Sequence, residues 1–160
     1  MRVLALIALC LPFEAQALSC LPHAIEATFQ EAEASEAAFV IVQGRLDFDA
    51  GALPQTDLAN QHATPPMTSI DAELLGMALG ASGFDVPYDQ PVTLAVACYG
   101  PWCASAQEGG DVLAFVERRP GARDVVTVTP CGGYLFATPT PAMIDAVRQC
   151  FNGGACEITR

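Results

Sequence analysis

The side chains here with the most specific chemistry are cysteines and histidines. Cys20, Cys98, Cys103, Cys131, Cys150 and Cys156 follow a seventh cysteine, Cys10, that sits in an apolar N-terminal run; the histidines are His23 and His62. Thiols in such numbers serve zinc binding, dithiol exchange or structural cross-linking. Zinc motifs space paired Cys or His by about two to four residues, whereas four residues separate Cys98 from Cys103 and the histidines stand apart. A thioredoxin-type centre needs C-x-x-C at a helix start, which Trp102-Cys103 matches only in part. Structural disulfides are the favoured reading, with an envelope thiol protein cycling Cys98 and Cys103 as the alternative.

Cross-links need an oxidising compartment, and the N-terminus supplies the route. Met1-Arg2, the apolar residues 3–13 and Ala15-Gln16-Ala17 have the layout of a cleavable secretory signal over residues 1–17. The apolar run falls short of the roughly 20 residues that span a bilayer, and no later stretch is long and apolar enough. A soluble, periplasmic or extracellular domain over residues 18–160, beginning near Leu18, is expected. Lipidation at Cys20 is disfavoured because Ala17-Leu18-Ser19 lacks the Leu three places upstream that a lipobox wants.

Loss of Cys10 leaves six cysteines. The turn Tyr99-Gly100-Pro101-Trp102 brings Cys98 to Cys103, and Asn152-Gly153-Gly154 brings Cys150 to Cys156. This leaves Cys20 for Cys131, although the sequence alone admits other connectivities.

An apolar fraction of 52% against 16% charged residues describes a chain that folds, and 160 residues fit one domain. The formal net charge is −11 and lysine is absent. Nucleic acid and anionic membranes are therefore excluded as expected partners, since phosphate binding relies on Lys and Arg.

The elements that must position these groups follow from periodicity. Residues 22–34 read as a helix, with Pro22 at its first position and Ile25, Phe29 and Ala32 on one face. Residues 38–48 read as a strand around Phe39-Val40-Ile41-Val42, with Gly44 as a bulge. Residues 49–66 form a long loop holding Pro54, Asp57, Asn60, His62 and Pro65. Calcium binding by Asp47, Asp49 and Asp57 is disfavoured because Gly51 falls one place early for an EF-hand. Residues 67–79 are expected as a strand with a bend at Gly76, 83–87 as a turn, and 92–98 as a strand with Val92, Leu94, Val96 and Cys98 on one face. A hairpin follows, with arms 111–117 and 125–129 around Pro120-Gly121. The last element is a helix with Thr140 as N-cap, Pro141 at N1, and a stop at Asn152-Gly153.

Cys20 ahead of a helix, the strand Phe39-Val40-Ile41-Val42-Gln43-Gly44, the segment Val96-Ala97-Cys98-Tyr99-Gly100 and the hairpin delivering Cys131 occur in that order. In order of elements and cysteine placement the chain resembles the OB-fold module of the tissue inhibitors of metalloproteinases and the netrin-type domains. The resemblance implies a mainly β, five-stranded OB-like barrel with an N-terminal and a C-terminal helix. It also implies a bridge from Cys20 to Cys131. In the inhibitors a mature N-terminal cysteine chelates the target's zinc; the expected start at Leu18 places Cys20 two residues inside the chain, so inhibition ranks below the other readings.

No G-x-S-x-G, H-E-x-x-H or phosphate loop occurs, so no catalytic residue, metal or cofactor is assigned. His23 is expected as an exposed residue at the helix start. The expected function is a monomeric binding module for a protein or small ligand. Its candidate surface is the 49–66 loop with Asp57 and His62, together with Tyr99 and Trp102, the sole tryptophan.

Overall fold

A computed structural model describes residues 19–21, 23–57, 59–60 and 63–158. The expected signal peptide, Leu18, Pro22 and His62 lie outside them. Helix α1 (Ile25–Ala34) precedes strands β1 (Phe39–Phe48), β2 (Met67–Gly80), β3 (Gly83–Tyr99), β4 (Trp102–Cys103), β5 (Gly110–Glu117), β6 (Asp124–Thr129), β7 (Gly132–Gly133) and β8 (Leu135–Ala137), and helix α2 (Pro141–Phe151) ends the order. The chain is mainly β, as its β-branched runs require.

β1 pairs antiparallel with β2 on one side and with β5 on the other. β2 pairs with β3, and β3 then pairs in parallel with β6, from Val92 opposite Asp124 to Val96 opposite Val128. β6 meets β5 at a single position, Glu117 opposite Val125, and these ladders close a ring of five strands. The expected hairpin of 111–117 with 125–129 therefore opens almost at its turn. Asp124 explains this locally, because its carboxylate accepts from the Arg119 N–H at 3.0 Å and pairs with Arg118 Nε at 2.9 Å, which fixes the turn while β6 runs on to β3.

Strand periodicity separates two cores. Val42, Leu46 and Phe48 of β1 gather with Leu74, Val92, Leu94, Val96, Val112, Ala114, Val116, Val126 and Val128 in the ring's interior cluster. The opposite faces contribute Ile41, Leu79, Leu113 and Phe115, which pack with Ile25 and Ala32 of α1 and Val147 of α2. The helices thus cover one outer flank of the ring.

Three expectations are corrected here. Gly44 is not a bulge: its ladders to β2 and β5 run through it without a shift, and the only slip in the β2–β3 ladder lies between Ala78 and Leu79. Gly44 instead faces Gly76 directly, and a Cβ on it would lie 2.8 Å from the Gly76 Cα. Glycine serves at both positions for close approach of two backbones. Residues 83–87 belong to β3, and the turn is Ala81-Ser82. Pro87 and Pro91 are tolerated because β6 joins β3 only from Val92 onward, leaving that flank of β3 without a ladder to break. Finally, α1 begins at Ile25, and His23 ahead of it is exposed but held: its ring stacks on Phe136 at 3.9 Å and its Nε2 lies 2.7 Å from the Gly133 carbonyl oxygen.

At α2 the Thr140 hydroxyl accepts from the Met143 N–H at 3.3 Å, Pro141 opens the helix, and Asn152 with Gly153 at φ +73° ends it. Disulfides join Cys20 to Cys131, Cys98 to Cys103 and Cys150 to Cys156. The first closes a separation of 111 residues.

Two stability measurements test this construction. Gly44→Ala forces a methyl against the Gly76 backbone and should cost about 2 to 3 kcal/mol in urea unfolding; an unchanged midpoint would show that the strands can part at no cost. Replacing Cys20 and Cys131 together by serine should cost up to roughly 4 to 5 kcal/mol, against about 2 kcal/mol for the Cys98 and Cys103 pair, on loop-closure grounds. Equal losses would contradict that ordering.

Candidate functional site

Closing the ring leaves the residues between β1 and β2 as a long excursion at one end. After β1, Asp49 accepts from the Gly51 N–H at 2.8 Å and caps a single 3-10 turn, Ala50–Ala52. Further along, the Thr56 hydroxyl donates to the Pro101 carbonyl at 3.1 Å and lies 3.7 Å from Cys103 Sγ. The Cys98 N–H donates to the Pro66 carbonyl at 2.9 Å as the excursion returns. The 49–66 loop is thereby tied to the 99–102 turn at Thr56 and to the end of β3 at Pro66.

β3 and β4 form the other wall. Tyr99 stands opposite Trp102 and Cys98 opposite Cys103, so the disulfide staples a two-pair hairpin. Gly100 at φ +62° permits its tight turn. Tyr99 and Trp102 remain 46% and 43% exposed, unusual for large aromatics not engaged in a core. Between the walls lies a cavity of about 480 Å³ lined by Leu53, Pro54, Gln55, Thr56, Trp102 and Cys103, among others.

Of the residues expected from sequence, Trp102 lines this cavity and Tyr99 is its cross-strand neighbour. Asp57 follows Thr56, but its carboxylate turns onto its own backbone and accepts from the Ala59 N–H at 2.8 Å and the Asn60 N–H at 3.2 Å. His62 lies outside the described residues. Leu53, Pro54 and Thr56 fall within the expected 49–66 loop but are not singled out by the sequence as site residues; Thr56 acts through a partner 45 positions away, and no local pattern marks such a contact.

The groups weighed for other chemistries are occupied. Asp47 pairs with Arg45 at 2.9 Å and Asp49 caps its turn. All six described cysteines are in disulfides. Among the described residues no group of three or more His, Cys, Asp or Glu could hold a metal ion, and no helix is long and apolar enough to cross a membrane.

The five described arginines all pair with carboxylates: Arg45 with Asp47, Arg118 with Asp124, Arg119 with Glu117, Arg123 with Asp71, and Arg148 with Asp145. Three of them crowd a second cavity of about 500 Å³ at the β5–β6 turn. Below that turn the Tyr88 hydroxyl donates to Asp124 at 3.4 Å. Burial first, and then the Asp124 charge, push its pKa up to about 12, with Arg118 opposing. Tyr134 donates to Glu31 at 3.0 Å, and burial, that hydrogen bond and the charges of Glu31 and Glu117 likewise push it up to about 12.

Comparison of the chain with protein-family models, curated proteins and solved structures finds no match.

A pH prediction follows from the two phenols. Their folded-state pKa values lie above the ordinary 10, so their contribution to stability is whole below about pH 10 and is lost as pH rises toward about 12. An absorbance titration of phenolate should show two of the three tyrosines ionising late, together with unfolding. Ionisation of all three near pH 10 with the fold intact would contradict it.

Proposed function

We propose that the mature domain is an exported binding module of OB-like build, and that the cavity between the 49–66 loop and the β3–β4 hairpin is its ligand site. The observation that carries the reading is the junction itself: a loop and a stapled aromatic hairpin, hydrogen-bonded to each other, border an open cavity walled by the half-exposed Trp102. Apolar pockets with a few placed polar groups are the usual form of a small-ligand or peptide site. Here Pro54, Leu53 and the indole supply the apolar walls, while Gln55, Thr56 and Ser105 supply the polar groups.

The OB-like build is supported by the order of pairing. The ring runs β1-β2-β3-β6-β5 and returns to β1, with β3 and β6 parallel. If the ring strands are taken as the five of an OB fold, the 49–66 loop joins the first and second, the place from which such folds contact ligands. The relationship to the metalloproteinase-inhibitor and netrin-type modules rests on that order and on the Cys20–Cys131 bridge ahead of α1. Export fits three disulfides, which persist in oxidising compartments. Metalloprotease inhibition is not part of the proposal, because its chelating group is a free terminal amine and Cys20 is expected two residues inside the chain.

Trp102, as the sole tryptophan, supplies the test. A fragment panel screened by ligand-observed NMR against exported protein should yield hits that quench indole fluorescence. Trp102→Ala should lose those hits while costing no more than about 1 kcal/mol of stability, since the ring is largely in solvent. Retained hits, or a large fall in thermal stability, would instead make Trp102 a cover for the Cys98–Cys103 bridge.

A further inference from the structure

Away from that cavity, on the flank where the helices cover the ring, a smaller groove of about 230 Å³ opens between α1, the start of β1 and the end of α2. Its walls include Phe29, Phe39, Leu79 and Phe151, and the one charged residue lining it is Glu33. Phe29 and Phe39 are only partly buried, and Phe151 at the last turn of α2 is 43% exposed. The outer core therefore does not close over itself here.

The surface around this gap is negative. Glu31, Glu33 and Glu36 are exposed along α1 and just after it. Among the described residues the only cation on α1 or α2 is Arg148, which pairs with Asp145 at 4.0 Å. The other four described guanidinium groups are held by Asp47, Asp124, Glu117 and Asp71, and the chain has no lysine. No described cation of the domain itself thus neutralises Glu33 or Glu36. An apolar gap that fits one large side chain, bordered by the unneutralised carboxylates at the end of α1, is complementary to one kind of surface: a large apolar anchor flanked by Lys or Arg.

We propose that this groove docks a basic, amphipathic segment of a partner protein, with one large apolar side chain between Phe29, Phe39 and Phe151 and flanking cations on Glu33 and its neighbours. Glu33 lines the groove itself and Glu36 follows three residues on, so an extended partner can meet both while its apolar side chain fills the gap, whereas a small organic cation would leave the gap empty. The site is separate from the Trp102 cavity and does not depend on its occupancy.

The test uses a fluorescein-labelled amphipathic Leu–Lys peptide as probe, with a Ser–Lys and a Leu–Glu peptide of the same length as controls, read by anisotropy on the full exported domain. Only the Leu–Lys peptide should bind, more weakly at higher salt. Phe151→Ser and Glu33→Lys should each weaken it about tenfold, with Phe151→Leu restoring most of the loss and Trp102→Ala leaving it unchanged. Glu33 is exposed, so Glu33→Lys decides the matter even if Phe151→Ser fails to fold. Equal binding of the Ser–Lys peptide, absence of binding, indifference to Glu33→Lys, or loss in Trp102→Ala would each overturn the proposal.

Discussion

The parallel ladder between β3 and β6 is the contact on which the rest of the molecule depends. Its partners lie about thirty residues apart in sequence, from Val92 with Asp124 to Val96 with Val128, and it is the only pairing that turns a run of antiparallel neighbours into a closed ring. Non-local closure of this kind costs chain entropy before any contact offsets it. The gain is the interior cluster, in which Leu46, Leu74, Val92, Leu94, Val96 and Val126 lose all contact with solvent. Each buried aliphatic side chain of that kind is worth about 1.5 to 3 kcal/mol.

Closure also explains features that look unrelated. β1 must serve two ladders at once, and its approach to β2 at Gly44 and Gly76 leaves no space for a side chain at either. β6 must leave β5 early, and Asp124 holds the turn from which it departs by gathering the Arg119 amide, the Arg118 guanidinium and the Tyr88 hydroxyl. Past the end of β6, Cys131 is bonded to Cys20, a Cβ on Gly132 would run into the His23 ring, and one on Gly133 would run into the β6 backbone at Thr127. The helices then pack on the ring's outer flank, leaving the far end free for the long loop and the stapled hairpin.

Much of this order is legible in the residues. Alternation of Val92, Leu94 and Val96 marks β3, Thr140 and Pro141 mark the start of α2, and the spacing of cysteines around two short turns marks two of the bridges. Pro87 misleads, because a proline reads as a turn while its missing N–H costs nothing where a strand has no neighbour on that side. Gly44 misleads in the same way: a glycine inside a strand signals either a bulge or a close backbone approach, and only the facing Gly76 distinguishes them. The parallel closure is invisible in sequence, since a turn between two strands predicts a hairpin and the departure depends on a carboxylate whose partners lie both in that turn and in the distant β3. For the candidate site, Trp102 and the 49–66 loop stand out by residue type, but their union through Thr56 and Pro101 is a tertiary fact.

The bridge between Cys20 and Cys131 has a mechanical side. A pull applied to the two ends of the chain enters at residue 20, crosses the sulfur–sulfur bond and leaves at residue 131, so β1, β2, β3, β5 and β6 hang on an unloaded covalent loop. Only β7, β8 and α2 lie on the tensioned path. β8 would peel from β5 and β7 from β6, while the ring and the groove beside Trp102 keep their shape. Under tension between its ends, the domain would yield through the segment that follows Cys131, about a fifth of the chain, and hold the Trp102 end unchanged.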